Sequence, residues 1–154
     1  MKVRDIMTVR PVTAEAGASI RELAQMMEES KCGEIPIIED GRMVGVVTDR
    51  DIVLRAVAQG DDPYTTTARE IMTRAPAKVK PDASLRYAIH VMEDVHVRRL
   101  PVVDDAGTIV GILSMTDVCQ YAGRLRAGTL VRKISRPMHV EHPRGPEVFP
   151  PYPH

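Results

Sequence analysis

Two short stretches place a hydroxyl and a carboxylate three residues apart where a strand should give way to a helix: Thr48-Asp49-Arg50-Asp51 and Ser114-Met115-Thr116-Asp117. A helix start offers unpaired amides and partial positive charge to a phosphate, and the Thr48 or Ser114 hydroxyl adds a donor. Asp51 or Asp117, one turn in, can accept from the two hydroxyls of a ribose. A phosphate and a cis-diol held at one helix end describe a nucleotide seat. The same spacing is also a capping box, in which hydroxyl and carboxylate satisfy the helix's own first amides and contribute about 1 kcal/mol. Both readings stand on local pattern, and the recurrence of aspartate in both stretches leans modestly towards the ligand.

Other chemistry is sparse. No Ser/His/Asp or Cys/His constellation surrounds a nucleophile, and Cys32 has no evident base nearby in its stretch, so no catalytic residues are expected. Neither CxxC nor HExxH spacing occurs, and His139, His142 and His154 fall in a proline-rich tail, so no metal site is expected. Met26, Met27, Met92 and Met115 read as core or interface filling, and His90 and His96 stand alone. Lys plus Arg and Asp plus Glu balance at 21 each without a basic stripe, which removes the electrostatic footprint of nucleic-acid binding. With no apolar run of about 18 residues and no secretory leader, the expectation is a soluble cytoplasmic protein with no membrane partner. Cys32 and Cys119 are expected to be reduced, mostly buried thiols.

The elements that position the two stretches come from an internal duplication. Val3 to Val53 reappears as Ala68 to Cys119, at an offset of 65 residues from Arg4/Arg69 to Asp40/Asp105 and of 66 from Gly41/Gly107 onward, so Ala106 is an insertion in a turn. Ser19 to Glu22 forms a capping box ahead of Ile20, Leu23, Ala24 and Met27, which share one face of a helix over Ser19 to Ser30; Leu85, Ala88, Ile89 and Met92 repeat that face. A strand follows (Ile35 to Ile38, Leu100 to Val103), then a tight turn and a second strand (Met43 to Val47, Ile109 to Leu113). Pro36 and Pro101 argue for an edge or strand-start position. Second helices run from Asp49 to about Gln59 and from Met115 to about Leu125, and short strands at Pro11 to Ala14 and Pro76 to Val79 precede the first helices. The fold class is α+β, two β-α-β-β-α repeats related by a pseudo-two-fold. The divisions are 1–59 for the first repeat, 60–67 for a linker, 68–125 for the second repeat and 126–154 for a proline-rich extension. Val131 to Ile134 echoes Val3 to Ile6 as a vestigial third opening segment, and the tail beyond is either disordered or an extended arm.

These pieces resemble the CBS-domain family, named after the domain of cystathionine β-synthase, whose tandem pairs are called Bateman modules. The resemblance covers about Val3 to Leu125 and rests on Asp5-Ile6-Met7-Thr8 with Glu70-Ile71-Met72-Thr73, Ile35-Pro36-Ile37 with Leu100-Pro101-Val102, and Val44 to Ile52 with Val110 to Val118. It implies a regulatory, non-enzymatic, stand-alone pair with two clefts that take an adenosine compound such as AMP, ATP, NAD(H) or S-adenosylmethionine, AMP or ATP foremost. By the same analogy Asp51 and Asp117 hold ribose and Thr48, Arg50, Ser114 and Thr116 approach phosphate. Adenine rests near Pro11, Val12, Cys32 and Gly33 in one cleft and near Pro76, Ala77, Val97 and Arg98 in the other. A homodimer and a protein effector of unknown identity are implied; the alternative is a structural or interaction module whose clefts bind no small molecule. Where the copies differ, Arg98-Arg99 replaces Gly33-Glu34 and Arg50 stands opposite Thr116, from which the Asp51 cleft is expected to suit a polyphosphate better.

Overall fold

The computed structural model describes residues 1–121 and 124–135, and the proline-rich tail lies outside them. The first copy contributes β1 (Thr8–Val9), β2 (Ala14–Glu15), α1 (Ile20–Ser30), β3 (Glu34–Glu39), β4 (Arg42–Thr48) and α2 (Asp49–Asp51), which runs on as a π turn over Ile52–Ala56 and a 3-10 turn over Val57–Gln59. The second contributes α3 (Ala68–Ile71), β5 (Thr73–Arg74), α4 (Leu85–Val95), β6 (Arg99–Val103), β7 (Ile109–Ser114), α5 (Met115–Tyr121) and α6 (Arg124–Ile134). This is the α+β repeat architecture expected.

Its strand order departs from a simple pair of self-contained units. One sheet runs β2-β3-β4-β5 and the other β1-β7-β6. Strand β5 of the second copy therefore completes the first copy's sheet, with Gly45 opposite Arg74, while β1 of the first copy completes the second's, with Gly111 opposite Val9. The loops repeat this exchange bond for bond. Val3 and Arg4 amides donate to Ala83 and Pro81 carbonyls at 3.0 Å each, and their counterparts Ala68 and Arg69 donate to Ala18 and Ala16 at 2.8 and 2.9 Å.

The cores follow the exchange. Ile20, Leu23, Met27, Ile35, Ile37 and Val47 pack with Ala68, Ile71 and Met72 of the other copy, and Leu85, Ala88, Met92, Leu100, Val102 and Leu113 pack with Val3. Bringing β5 against β4 and β1 against β7 requires bare backbone at one point on each. A Cβ on Gly45 would meet Met72 Sδ at 2.5 Å and the Thr73 carbonyl at 2.9 Å; on Gly111 it would meet Met7 Sδ at 2.6 Å and the Thr8 carbonyl at 2.9 Å.

Several expectations are corrected. The strand at Pro11 to Ala14 shrinks to Ala14–Glu15, and its mate at Pro76 to Val79 to a single bridge from Val79 to Val102, because the chain spends those residues crossing between sheets. Of the helix expected from Met115 to about Leu125, α5 covers Met115–Tyr121 and residues 122–123 lie outside the described residues; Val131 to Ile134 belongs to helix α6 rather than to a third opening segment. Leu130 and Ile134, one turn apart on the same face, are buried in the second core, and Lys133 pairs with Glu93 at 2.8 Å. Pro36 sits inside β3, which lies between two strands, yet β2 covers only Ile37 and Ile38, so the position is locally an edge. Cys32 and Cys119 are free but only half-buried.

Substituting Gly45→Ala or Gly111→Ala forces a methyl into backbone and is expected to cost about 1–3 kcal/mol, read as a fall in the urea midpoint. Ala75 holds a left-handed φ of 46° just before Pro76. Relief of strain worth about 1–2 kcal/mol should outweigh the added chain entropy, so Ala75→Gly is expected to raise the same midpoint.

Candidate functional site

The exchanged topology carries the chain from one sheet to the other in each copy. Strand β1 lies in one sheet and β2 in the other, so Pro11 and Val12 span from sheet to sheet; β5 and the Val79 bridge make Pro76 and Ala77 do the same in the second copy. Both crossings begin at a non-glycine residue in the left-handed region, Arg10 at φ 52° and Ala75 at φ 46°. Cys32 and Gly33 immediately precede β3, and Val97 and Arg98 immediately precede β6.

Each such entry is tied to a helix start. The Asp49 amide donates to the Gly33 carbonyl at 3.0 Å and the Met115 amide to the Arg98 carbonyl at 2.8 Å, so residues 32–33 and 97–98 lie beside the two hydroxyl–carboxylate stretches. Gly33 leaves room for the Asp49 side chain, whose carboxylate would stand 2.9 Å from a Cβ there.

The stretches themselves form capping boxes. Thr48 Oγ1 accepts from the Asp51 amide at 3.1 Å while Asp51 Oδ2 accepts from the Thr48 amide at 2.9 Å. Ser114 Oγ accepts from the Asp117 amide at 3.1 Å, and Asp117 Oδ2 takes both the Ser114 amide at 2.8 Å and the Ser114 hydroxyl at 2.6 Å. With Asp49 bonded to Gly33, Arg50 to Asp49 Oδ1 at 2.7 Å and Asp51 to Thr48, the first three amides of the first helix are all engaged. One oxygen of each aspartate stays out of the box. Arg50 and Thr116 are exposed, and Asp51 and Asp117 half-buried.

Charge distinguishes the two ends. Glu34, Asp49 and Asp51 outnumber Arg50 and Arg55 about Thr48, whereas Arg98 and Arg99 outnumber Asp117 about Ser114, with Glu34 facing Thr48 and Arg99 facing Ser114 across their hairpins. This works against the expectation that the Asp51 cleft suits a polyphosphate. Glu34 and Arg99 are pseudo-symmetry mates close enough to sense one another. Burial pushes the Glu34 carboxyl above the usual glutamate range, Arg99 pulls against that, and Asp51 adds to it.

Arg55 is a participant that the sequence reading passed over, although an acid and a base at i and i+4 on one helix was the available signal. Its Nε lies 3.4 Å from Asp51 Oδ1 and its Nη1 donates to the Ile71 carbonyl at 2.7 Å and to Thr73 Oγ1 at 3.1 Å. Among the described residues no group of three or more His, Cys, Asp or Glu is placed to hold a metal ion, and no helix is long and apolar enough to cross a membrane. Two shallow cavities of about 410 and 430 Å³ lie beside α4 (Lys78, Lys80 and Tyr87; Arg86, His90 and Glu93), away from both stretches.

Against known proteins, a family model described as CBS domain matches residues 3–57 and again 68–124. The CBS domain-containing protein YhcV of Bacillus subtilis is 38% identical over 134 residues, covering 86% of this chain and 94% of its own. Three solved structures superpose well. Hypoxic Response Protein I with two coordinated zinc ions has TM-score 0.73 at 35% identity, covering 79% of this chain and 98% of that one. The CBS domain pair of MJ0100 in complex with 5′-methylthioadenosine and S-adenosyl-L-methionine has TM-score 0.71 at 31%, covering 80% and 96%. CBSX2 in complex with AMP has TM-score 0.68 at 28%, covering 79% and 95%.

Because the folded state disfavours ionised Glu34, its contribution to stability falls as pH rises through the glutamate range and stays lowered above it. Glu34→Gln is therefore expected to melt above the parent at pH 7 and level with it below about pH 4, as followed by thermal denaturation across pH.

Proposed function

We propose that this chain, which belongs to the CBS-domain family, is a regulatory module that binds an adenosine compound between its repeats and presents the outcome to a partner protein. The observation that carries this reading is that each copy brings a carboxylate oxygen not used in capping, Asp51 Oδ1 or Asp117 Oδ1, to a helix start bonded to the entry of a hairpin. A carboxylate fixed by its own capping box is a preorganised acceptor for a cis-diol. In this reading Pro11, Val12, Cys32 and Gly33, with Pro76, Ala77, Val97 and Arg98, supply aliphatic and backbone surface for a purine. Two similar structures carry adenosine compounds, which supports AMP or S-adenosylmethionine as the class of ligand. Thr48, Arg50, Ser114 and Thr116 are the proposed phosphate neighbours, with Arg98 beside Ser114 favouring the second seat for a phosphorylated ligand.

The module works without catalytic residues in this reading, and it acts as a dimer. The helix that follows Asp51 leaves Val53, Leu54 and Val57 at 54%, 47% and 63% exposure, an apolar face that a second copy would cover.

A second reading has its own support. The hydroxyl–carboxylate pairs are complete capping boxes, as an interaction module without a ligand would require. Calorimetry of the full chain against AMP, ATP, NADH and S-adenosylmethionine separates the two. Binding by at least one is expected, with a stabilisation of about 2.7 kcal/mol at a hundredfold excess over Kd, and the combined Asp51→Ala/Asp117→Ala variant is expected to lose it. Silence from all four would favour the interaction module.

A further inference from the structure

The two aspartates differ in what holds their second oxygen. Asp51 Oδ1 faces Arg55 Nε at 3.4 Å, and the same guanidinium reaches over to the Ile71 carbonyl and Thr73 Oγ1, which belong to the exchanged opening segment of the second copy. Asp51 is only 14% exposed and Arg55 47%, so the pair closes the carboxylate from the solvent side. At the offset that matches Asp51 to Asp117, the counterpart of Arg55 is Tyr121, which is 55% exposed. Asp117 Oδ1 accordingly has no cationic partner among the described residues. The helices differ too: the turn from Ile52 to Ala56 that carries Arg55 is a π turn, whereas α5 is regular. Such widened turns recur at functional sites.

Resting on the nucleotide reading above, we propose that Arg55 is a latch that makes the seats unequal: it holds Asp51 to Ile71 and Thr73, so that a ribose must displace it there while the Asp117 seat stands open. The capping box occupies Oδ2 in both aspartates, so a cis-diol depends on Oδ1, and at Asp51 that oxygen already faces a guanidinium. The Asp117 seat fills first. Filling the Asp51 seat turns Arg55 away, which loosens its hold on β5, the strand that the second copy lends to the first sheet. Arg55 is thus a positioning residue that couples occupancy of one seat to the exchanged segment.

Calorimetry of the full chain with AMP, ATP, NADH and S-adenosylmethionine tests this alongside hydrogen exchange at Thr73 and Arg74. The parent is expected to show two classes of site, the tighter lost in Asp117→Asn and the weaker in Asp51→Asn. Arg55→Ala, with Arg55→Gln as a gentler variant, should tighten the weaker class about tenfold, leave the tighter class unchanged, and speed exchange at Thr73 and Arg74 to the rate the parent reaches only at saturation. A purely structural role for Arg55 would weaken binding or leave it alone. Unchanged or weakened affinity at the Asp51 seat in both Arg55 variants overturns the latch and leaves the nucleotide reading intact. Silence of the parent and every variant towards all four compounds overturns both.

Discussion

Close approach of β5 to β4 at Gly45, and of β1 to β7 at Gly111, is the constraint on which the rest of the molecule depends. Each contact lays a methionine, Met72 or Met7, on the bare backbone of a strand from the other copy. Neither copy then owns a complete sheet or core: Ala68, Ile71 and Met72 fill the first core and Val3 the second. A unit of about 50 residues buries too little surface to be comfortable alone, and reciprocal exchange resolves that by making the two copies one cooperative structure. It also obliges the chain to cross between sheets twice, at Pro11–Val12 and at Pro76–Ala77. The two crossings are thus a by-product of how the fold is stabilised.

Pseudo-symmetry is kept in the opening segments and their loop bonds and broken in the charges. Loop bonds match pair for pair, and the left-handed residues Arg10 and Ala75, or Lys31 and His96, recur at equivalent places. Side chains at the helix starts do not. Asp49 over Gly33 becomes Met115 beside Arg98, Glu34 becomes Arg99, and Arg55 becomes Tyr121. The inserted Ala106 breaks the symmetry of the turns as well, since the Gly107 carbonyl accepts the Met43 amide at 3.0 Å. One scaffold thereby carries two different electrostatic settings.

What was legible in the sequence were the features set by local physics. Ser19 and Glu22 form the capping box that their spacing announces, and Ile20, Leu23 and Met27 face the core. Asp40-Gly41, both at positive φ, make the tight turn between β3 and β4. The exchange of opening segments was not legible, because Thr8–Val9 and Thr73–Arg74 are too short for any periodic signal and their partners are distant in sequence. Arg98 and Arg99 were visible as a departure from Gly33 and Glu34, but that the Arg99 charge acts on Glu34 depends on how the copies pack. The packing of helix α6 was hidden for a related reason: Leu130 and Ile134 matter only once the second core is there to receive them.

Capping and ligand binding, opposed when only the spacing is known, are compatible once the geometry is resolved. A carboxylate has two oxygens and about four acceptor directions. In Asp51 and Asp117 the capping box uses Oδ2 and thereby fixes the position of Oδ1. The structural role is then a precondition of the binding role, since an acceptor held in place beforehand loses little freedom when a ligand arrives. What distinguishes a mere cap from a seat is the environment of the second oxygen. On that measure Asp117 presents an open acceptor on the helix whose start is bonded to Arg98, while Asp51 presents one already shared with Arg55 and sensed by the Glu34 charge. Evolution of the second oxygen's surroundings, with the first left capping, would allow one duplicated motif to diverge in ligand response without risk to the fold.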